Sequence, residues 1–194
     1  DFLKSQKEDT YDVISLIHVL EHLPFEYAFE LHKEVLRVLK PGGAYIVEFP
    51  FAENISMGTI DFWLDPTHLK PIHPEMVKFV WEYVGFGEVD YFGVNGIYKP
   101  EQDINIQDII SYHVSPNVAI IGIKPTKNKF FFDVLKSSIK ELKTHSSYRL
   151  QDVLDIANRN LYSKLDAISR NIDSVYNMVL SQNESIKKDI DDIR

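Results

Sequence analysis

The stretch "HVLEHLP" (residues 18–24) places two imidazoles and a carboxylate within five positions, directly after the apolar run "YDVISLI" and with no turn residue between them. Such groups can move protons near neutral pH, ligate a metal ion, or do no more than end a strand. On a helical turn His18, Glu21 and His22 fall at i, i+3 and i+4, one face, where they would form a metal triplet with a fourth ligand from His68 or His73. Mixed nitrogen and oxygen donors suit zinc, manganese or iron better than magnesium. Two residues have structural alternatives. His18 suits a loop histidine bonded to a backbone carbonyl, and Glu21 suits the positive end of a following helix.

A second cluster lies in "DFWLDPTHLKPIHP" (residues 61–74), which joins the rings of Phe62 and Trp63 to Asp65, His68 and His73. Rings that cover C–H faces beside groups that fix hydroxyls suit a saccharide or another small polar acceptor. The same residues also admit a structural reading, with Phe62 and Trp63 packed on the core and Asp65 capping the turn ahead of Pro66. Glu48 and Glu53 are weaker candidates.

The elements that would hold these groups follow from periodicity. "YDVISLI" is β-branched and apolar on both parities, which predicts a central strand covered on both faces. Ala28, Leu31, Val35, Leu36 and Leu39 then recur at helical spacing between Pro24 and the stop "KPGG". "AYIVEFPF" (residues 44–51) is a second strand, so the three form a βαβ unit. Residues 52–70 read as a long loop at the carboxyl end of that strand. "HPEMVKFVWEYVGF" predicts a helix packed through Met76, Val77, Phe79, Val80 and Tyr83 and closed at Gly85. "GEVDYFGV" and "NVAIIGIKP" are two further strands, paired antiparallel because no crossover helix separates them; the polar stretch between them reads as a surface insertion.

The character changes after Pro125. Residues 126–147 read as a helical connector, and from Tyr148 onward glycine and proline are absent. Leu165, Ile172, Val179, Ile186 and Ile193 recur every seventh residue, with Leu154, Leu161, Ile168 and Val175 at the partner positions before the series degrades to Gln182 and Asp189. This pattern predicts a self-associating coiled-coil helix over residues 148–194.

Composition narrows the function classes. Hydrophobic residues at 44% are enough to bury a core, and a formal charge of −8 argues against a general nucleic-acid binder, which needs a basic surface. With no cysteine, disulfides, thiolate zinc sites and cysteine nucleophiles are excluded. No apolar run approaches the ~20 residues of a transmembrane helix. The N-terminal segment lacks the pattern of a signal peptide, and the location expected is cytoplasmic.

In their order and content, "YDVISLIHVLEHLP", "LRVLKPGGAYIVEFP", "DPTHLKPIHPEMVKFVWEYVGF" and "NVAIIGIKP" resemble the C-terminal half of a class I S-adenosylmethionine-dependent methyltransferase over residues 1–125. The resemblance implies a partial Rossmann-like, doubly wound α/β sheet followed by the long helix. The family's glycine-rich cofactor loop and the acid that binds the ribose are not found, which implies a piece lacking the first three strands that on its own binds cofactor poorly and is inactive. Asp1 and Phe2 look like the end of the third strand, where an acid accepts from the adenine amino group and an apolar neighbour packs on the ring.

Ligands of doubly wound sheets sit beyond the carboxyl ends of the strands, so the resemblance makes His18, Val19 and Leu20 a wall of the S-adenosylmethionine site. His22 becomes the general base for a hydroxyl acceptor, with Glu21 and His68 as further catalytic candidates. Trp63, Asp65, His68 and His73 would bind the acceptor, and polysaccharide biosynthesis is suggested by similarity to methyltransferases that carry coiled-coil extensions. A divalent ion is a secondary expectation, from similarity to methyltransferases with an E-x-x-E-H element. The heptads keep open another class of function, a non-catalytic assembly protein on a degenerate methyltransferase fold.

Overall fold

A computed structural model describes residues 2–97, 100–111, 113–144 and 148–192. Four strands, β1 (Tyr11–Ile17), β2 (Leu39–Pro50), β3 (Glu88–Val94) and β4 (Asn117–Ile123), form one mixed sheet in the order β1-β2-β4-β3. β1 and β2 are parallel, joined by helix α2 (Phe25–Val38), while β4 runs antiparallel to both β2 and β3. The chain begins with a short helix, α1 (Phe2–Ser5), and continues after β2 through α3 (Ile55–Thr59) and α4 (Pro74–Val84). It finishes with α5 (Lys129–Thr144) and α6 (Leu150–Asp192).

Alternation along β2 assigns the two faces of the sheet. Tyr45, Val47 and Phe49 meet α2 and α4 through Val35, Val77, Val80 and Trp81. Ala44 and Ile46 turn to the opposite face, where Ile121, Ile123 and Phe92 meet Ile139 of α5. Trp81 stacks on Tyr45 with ring centroids 4.5 Å apart, and it lies over Gly122, where a Cβ would come within 2.6 Å of the indole. The missing side chain on β4 is therefore the notch that admits the largest ring of the core.

Several expectations are corrected. β1 lies at an edge of the sheet among the described residues, with Val13 and Ile17 about half exposed; its apolar character on both parities fits two covers, but its only described neighbour is β2. Leu39 belongs to β2 and not to the helix, because the chain straightens after Val38. Register with β1 jumps from Tyr11–Leu39 to Val13–Ala44, and a bulge with Gly42 in the left-handed region (φ 84°) absorbs the excess residues. The expected long loop contains α3 and a 3₁₀ turn at Asp61–Leu64. On α4, Phe79 and Tyr83 face outward and Trp81 is the buried ring. Phe2 opens helix α1 instead of ending a strand, and Asp1 lies outside the described residues.

The polar stretch between β3 and β4 is more than a surface insertion. Its Ile104 and Val114 are buried against Val153, Ile156 and Ala157 of α6, and Asn160 donates to the carbonyls of Glu101 and Ile104. Arg149, ahead of α6, pairs with Glu53 (2.5 Å) and lies over the Tyr91 ring. These contacts fix the start of α6 to the sheet layer. From Leu161 onward its described apolar residues are exposed.

Candidate functional site

Chain direction brings the polar groups together. β1 and β2 are parallel, so their carboxyl ends lie side by side, and the segments that follow each strand meet there: the 3₁₀ turn Leu20–His22 after β1 and residues 52–73 after β2. The backbone locks the two, since the Leu69 amide donates to the Glu21 carbonyl at 2.9 Å.

His18 makes the turn off β1. Its φ of 51° lies in the left-handed region, which costs a non-glycine residue about 1–2 kcal/mol. Its amide donates to the Glu48 carbonyl (2.9 Å), and its ring spans two carboxylates, Nδ1 lying 3.3 Å from Glu21 Oε1 and Nε2 3.5 Å from Glu48 Oε1. Glu48 is held in turn by the side-chain amides of Asn95 and Asn117. The loop-histidine reading is therefore incomplete, because among the described residues the His18 ring meets carboxylates and no backbone carbonyl.

Glu21 is buried, and its Oε2 has no hydrogen-bond partner among the described residues. A buried carboxylate oxygen without a donor is costly and suits positive charge or a bound donor. The residue does not cap α2, which begins after Pro24 with no side-chain cap. One ligating atom each of Glu21, His22 and His68 lies within 4.8 Å of the others. His18 is not part of that set: its ring reaches Glu21 but turns on to Glu48, and His68 takes the third place.

His22 Nδ1 lies 2.8 Å from Thr67 Oγ1, and its ring is 4.7 Å from that of His68. His68 Nδ1 lies 2.6 Å from the Phe62 carbonyl and its ring packs on the buried Phe62 ring. Asp65 caps the local turn, its Oδ1 accepting from the Thr67 amide (2.8 Å) and hydroxyl (2.6 Å). The hydroxyl and then the amide hold its carboxyl below the usual carboxylate range, with smaller contributions from His68 and His22.

Of the expected aromatic platform, only Trp63 is exposed; it meets the Phe62 ring edge-on. His73 is separate from the trio: it is the N-cap of α4, its Nδ1 accepting from the Glu75 amide, and its Nε2 lies 3.9 Å from Glu53. Val19 is exposed and Leu20 is buried. Thr67 escaped the sequence reading, although "DPT" carries the signal of an Asx turn that turns a hydroxyl back on the aspartate.

Comparison with known proteins agrees with this architecture. Residues 3–47 match the family model for a methyltransferase domain. A SAM-dependent methyltransferase from Archaeoglobus fulgidus is 28% identical, with 63% of each chain covered and a TM-score of 0.51. Human N-acetylserotonin methyltransferase in complex with SAM is 17% identical over 65% of this chain and 32% of its own, TM-score 0.45. The Haemonchus contortus phosphoethanolamine N-methyltransferase 2 in complex with S-adenosyl-L-methionine is 13% identical over 65% of this chain and 36% of its own, TM-score 0.46. The chain thus spans less than two thirds of the length of each of these proteins. No curated protein sequence matches it.

Proposed function

We propose that the chain takes part in S-adenosylmethionine-dependent methyl transfer to a hydroxyl of a saccharide or similar small polar acceptor. The observation that carries this reading is the convergence of Glu21, His22 and His68 at the carboxyl end of the parallel pair, in a chain similar to a SAM-dependent methyltransferase. The residues fit one wall of a cationic cofactor. Val19 offers exposed apolar surface, and Glu21 offers a buried carboxylate oxygen in need of positive charge. His18, Val19 and Leu20 would hold S-adenosylmethionine, which when bound supplies an electrophilic methyl group. His22 takes the proton that the acceptor hydroxyl loses, Trp63 covers the acceptor's C–H face, and His68 orients its hydroxyls. Alignment of the reactants supplies much of the acceleration.

Calorimetric titration of the full-length protein with S-adenosylmethionine is expected to show saturable binding, and absence of heat at high concentration removes the reading. His22→Ala is expected to lower turnover about 10²–10⁴-fold while leaving cofactor affinity unchanged.

A second reading is favoured by the orphaned Glu21 oxygen beside two imidazoles: Glu21, His22 and His68 fit a divalent ion that accepts nitrogen and oxygen donors. Titration with zinc or manganese alone, lost in His68→Ala, tests it. Self-association through residues 148–194 is the remaining part of the proposal, supported by the exposed heptad positions of α6. If the full-length protein self-associates but shows neither cofactor binding nor turnover, the assembly-protein reading replaces the enzyme.

A further inference from the structure

We propose that Thr67 is a positioning residue that, backed by Asp65, holds neutral His22 as the Nδ1–H tautomer and so leaves Nε2 as its proton-accepting atom. The inference deepens the reading of His22 as a general base and rests on it for its catalytic meaning.

Counting protons gives the assignment. A threonine hydroxyl carries one hydrogen. Thr67 Oγ1 lies 2.6 Å from Asp65 Oδ1 and 2.8 Å from His22 Nδ1. An ionised carboxylate only accepts, so the hydrogen of Thr67 is directed at Asp65. Toward His22 the hydroxyl then offers only a lone pair, and Nδ1 must be the donor. The opposite arrangement, with Thr67 donating to a bare Nδ1, leaves a hydroxyl oxygen and a carboxylate oxygen 2.6 Å apart with no proton between them. The second bond to Asp65, from the Thr67 amide at 2.8 Å, keeps the carboxylate ionised and the turn in place.

The neighbours add to this constraint. Thr67 is β-branched, which stiffens χ1 and holds the hydroxyl between its two partners. The His68 ring, 4.7 Å away and itself tied to the Phe62 carbonyl, limits rotation of the His22 ring. Asp65, expected from the sequence to bind acceptor, is thereby assigned to orientation, since Oδ1 is occupied twice by Thr67. The order carboxylate, hydroxyl, imidazole extends a familiar principle by one link: the partner of one ring nitrogen decides the chemistry of the other.

The test reads the tautomer directly. The full-length protein, labelled with ¹⁵N at its histidines, is studied by long-range ¹H–¹⁵N correlation above pH 8, with His22→Gln assigning the signal. The Nδ1–H pattern is expected in the natural protein and in Thr67→Ser, and a shift toward Nε2–H in Thr67→Val, with backbone amide spectra showing that both variants fold. An Nε2–H signal in the natural protein, or a signal unmoved by Thr67→Val, overturns the proposal. In turnover, Thr67→Val is expected to lower kcat about 10–100-fold with KM little changed, and Thr67→Ser to restore it; equal kcat for Val and Ser overturns the positioning role. The base reading fails separately, through full turnover by His22→Ala, an outcome that leaves the tautomer assignment standing.

Discussion

The sheet layer and the distal part of α6 carry similar apolar patterns and treat them in opposite ways. In the sheet layer Tyr45, Phe49, Val77 and Trp81 interlock across β2 and α4 until almost nothing of them meets water. Along α6, Val153, Ile156 and Ala157 are buried, yet Leu165, Ile172 and Val179, with a comparable repeat, are about half exposed or more. The boundary falls where the insertion between β3 and β4 ends its contact, at Asn160. Periodicity states that a face needs a cover; it does not say whether the cover is in the same chain.

The largest effect expected from breaking this contrast is in the sheet layer. Trp81→Ala removes a fully buried ring above Gly122 and is expected to cost about 3–5 kcal/mol, read as a lower urea midpoint. A loss under about 1 kcal/mol would mean that the layer is loosely packed.

The next effect depends on pH. Burial pushes His32 down to about 4, and its ring sits against Tyr45 and Trp81, with Nδ1 finding no hydrogen-bond partner among the described residues. Between that value and an unfolded value near 6.5 the unfolded chain binds more protons, so stability is full above about pH 6.5 and falls as pH drops toward 4. The loss is on the order of 3 kcal/mol, and His32→Phe should flatten that part of a stability–pH curve. An unchanged curve would place solvent at the ring.

The smallest effect is on the rod. Ile172→Ser is expected to change the stability of a dilute, monomeric chain by no more than about 0.5 kcal/mol, because the side chain is already largely exposed. At high concentration the same substitution should lower the sedimenting mass if residues 148–194 self-associate. A natural chain that stays monomeric at every concentration removes the self-association proposal.

The parts of the fold legible in the sequence were those set by local period and punctuation. The existence and order of β1, α2 and β2 follow from their patterns, although the expected stop at residues 40–43 lies inside β2, and β3 and β4 pair antiparallel as their close succession implies. The buried face of α4 was not legible. Met76, Val77, Phe79, Val80, Trp81 and Tyr83 put apolar groups on nearly every side, and only the notch at Gly122, on a strand some forty residues away, selects Trp81. The candidate site was half legible for a similar reason. Glu21 and His22 declare themselves by spacing, whereas their nearness to His68 depends on two parallel strand ends and the Leu69–Glu21 bond. Thr67 was silent because a hydroxyl beside a proline carries no pattern beyond its turn.

The fit of Trp81 over Gly122 also restricts how related sequences can diverge. A side chain at position 122 cannot be accepted while an indole occupies position 81, so the two positions, one on a strand and one on a helix, should change together or not at all. Tyr45, stacked on the same indole, should follow as the third member of the set. A collection of homologues in which position 122 gains a methyl group while tryptophan persists at 81 would show that the backbone, and not the side chains, yields.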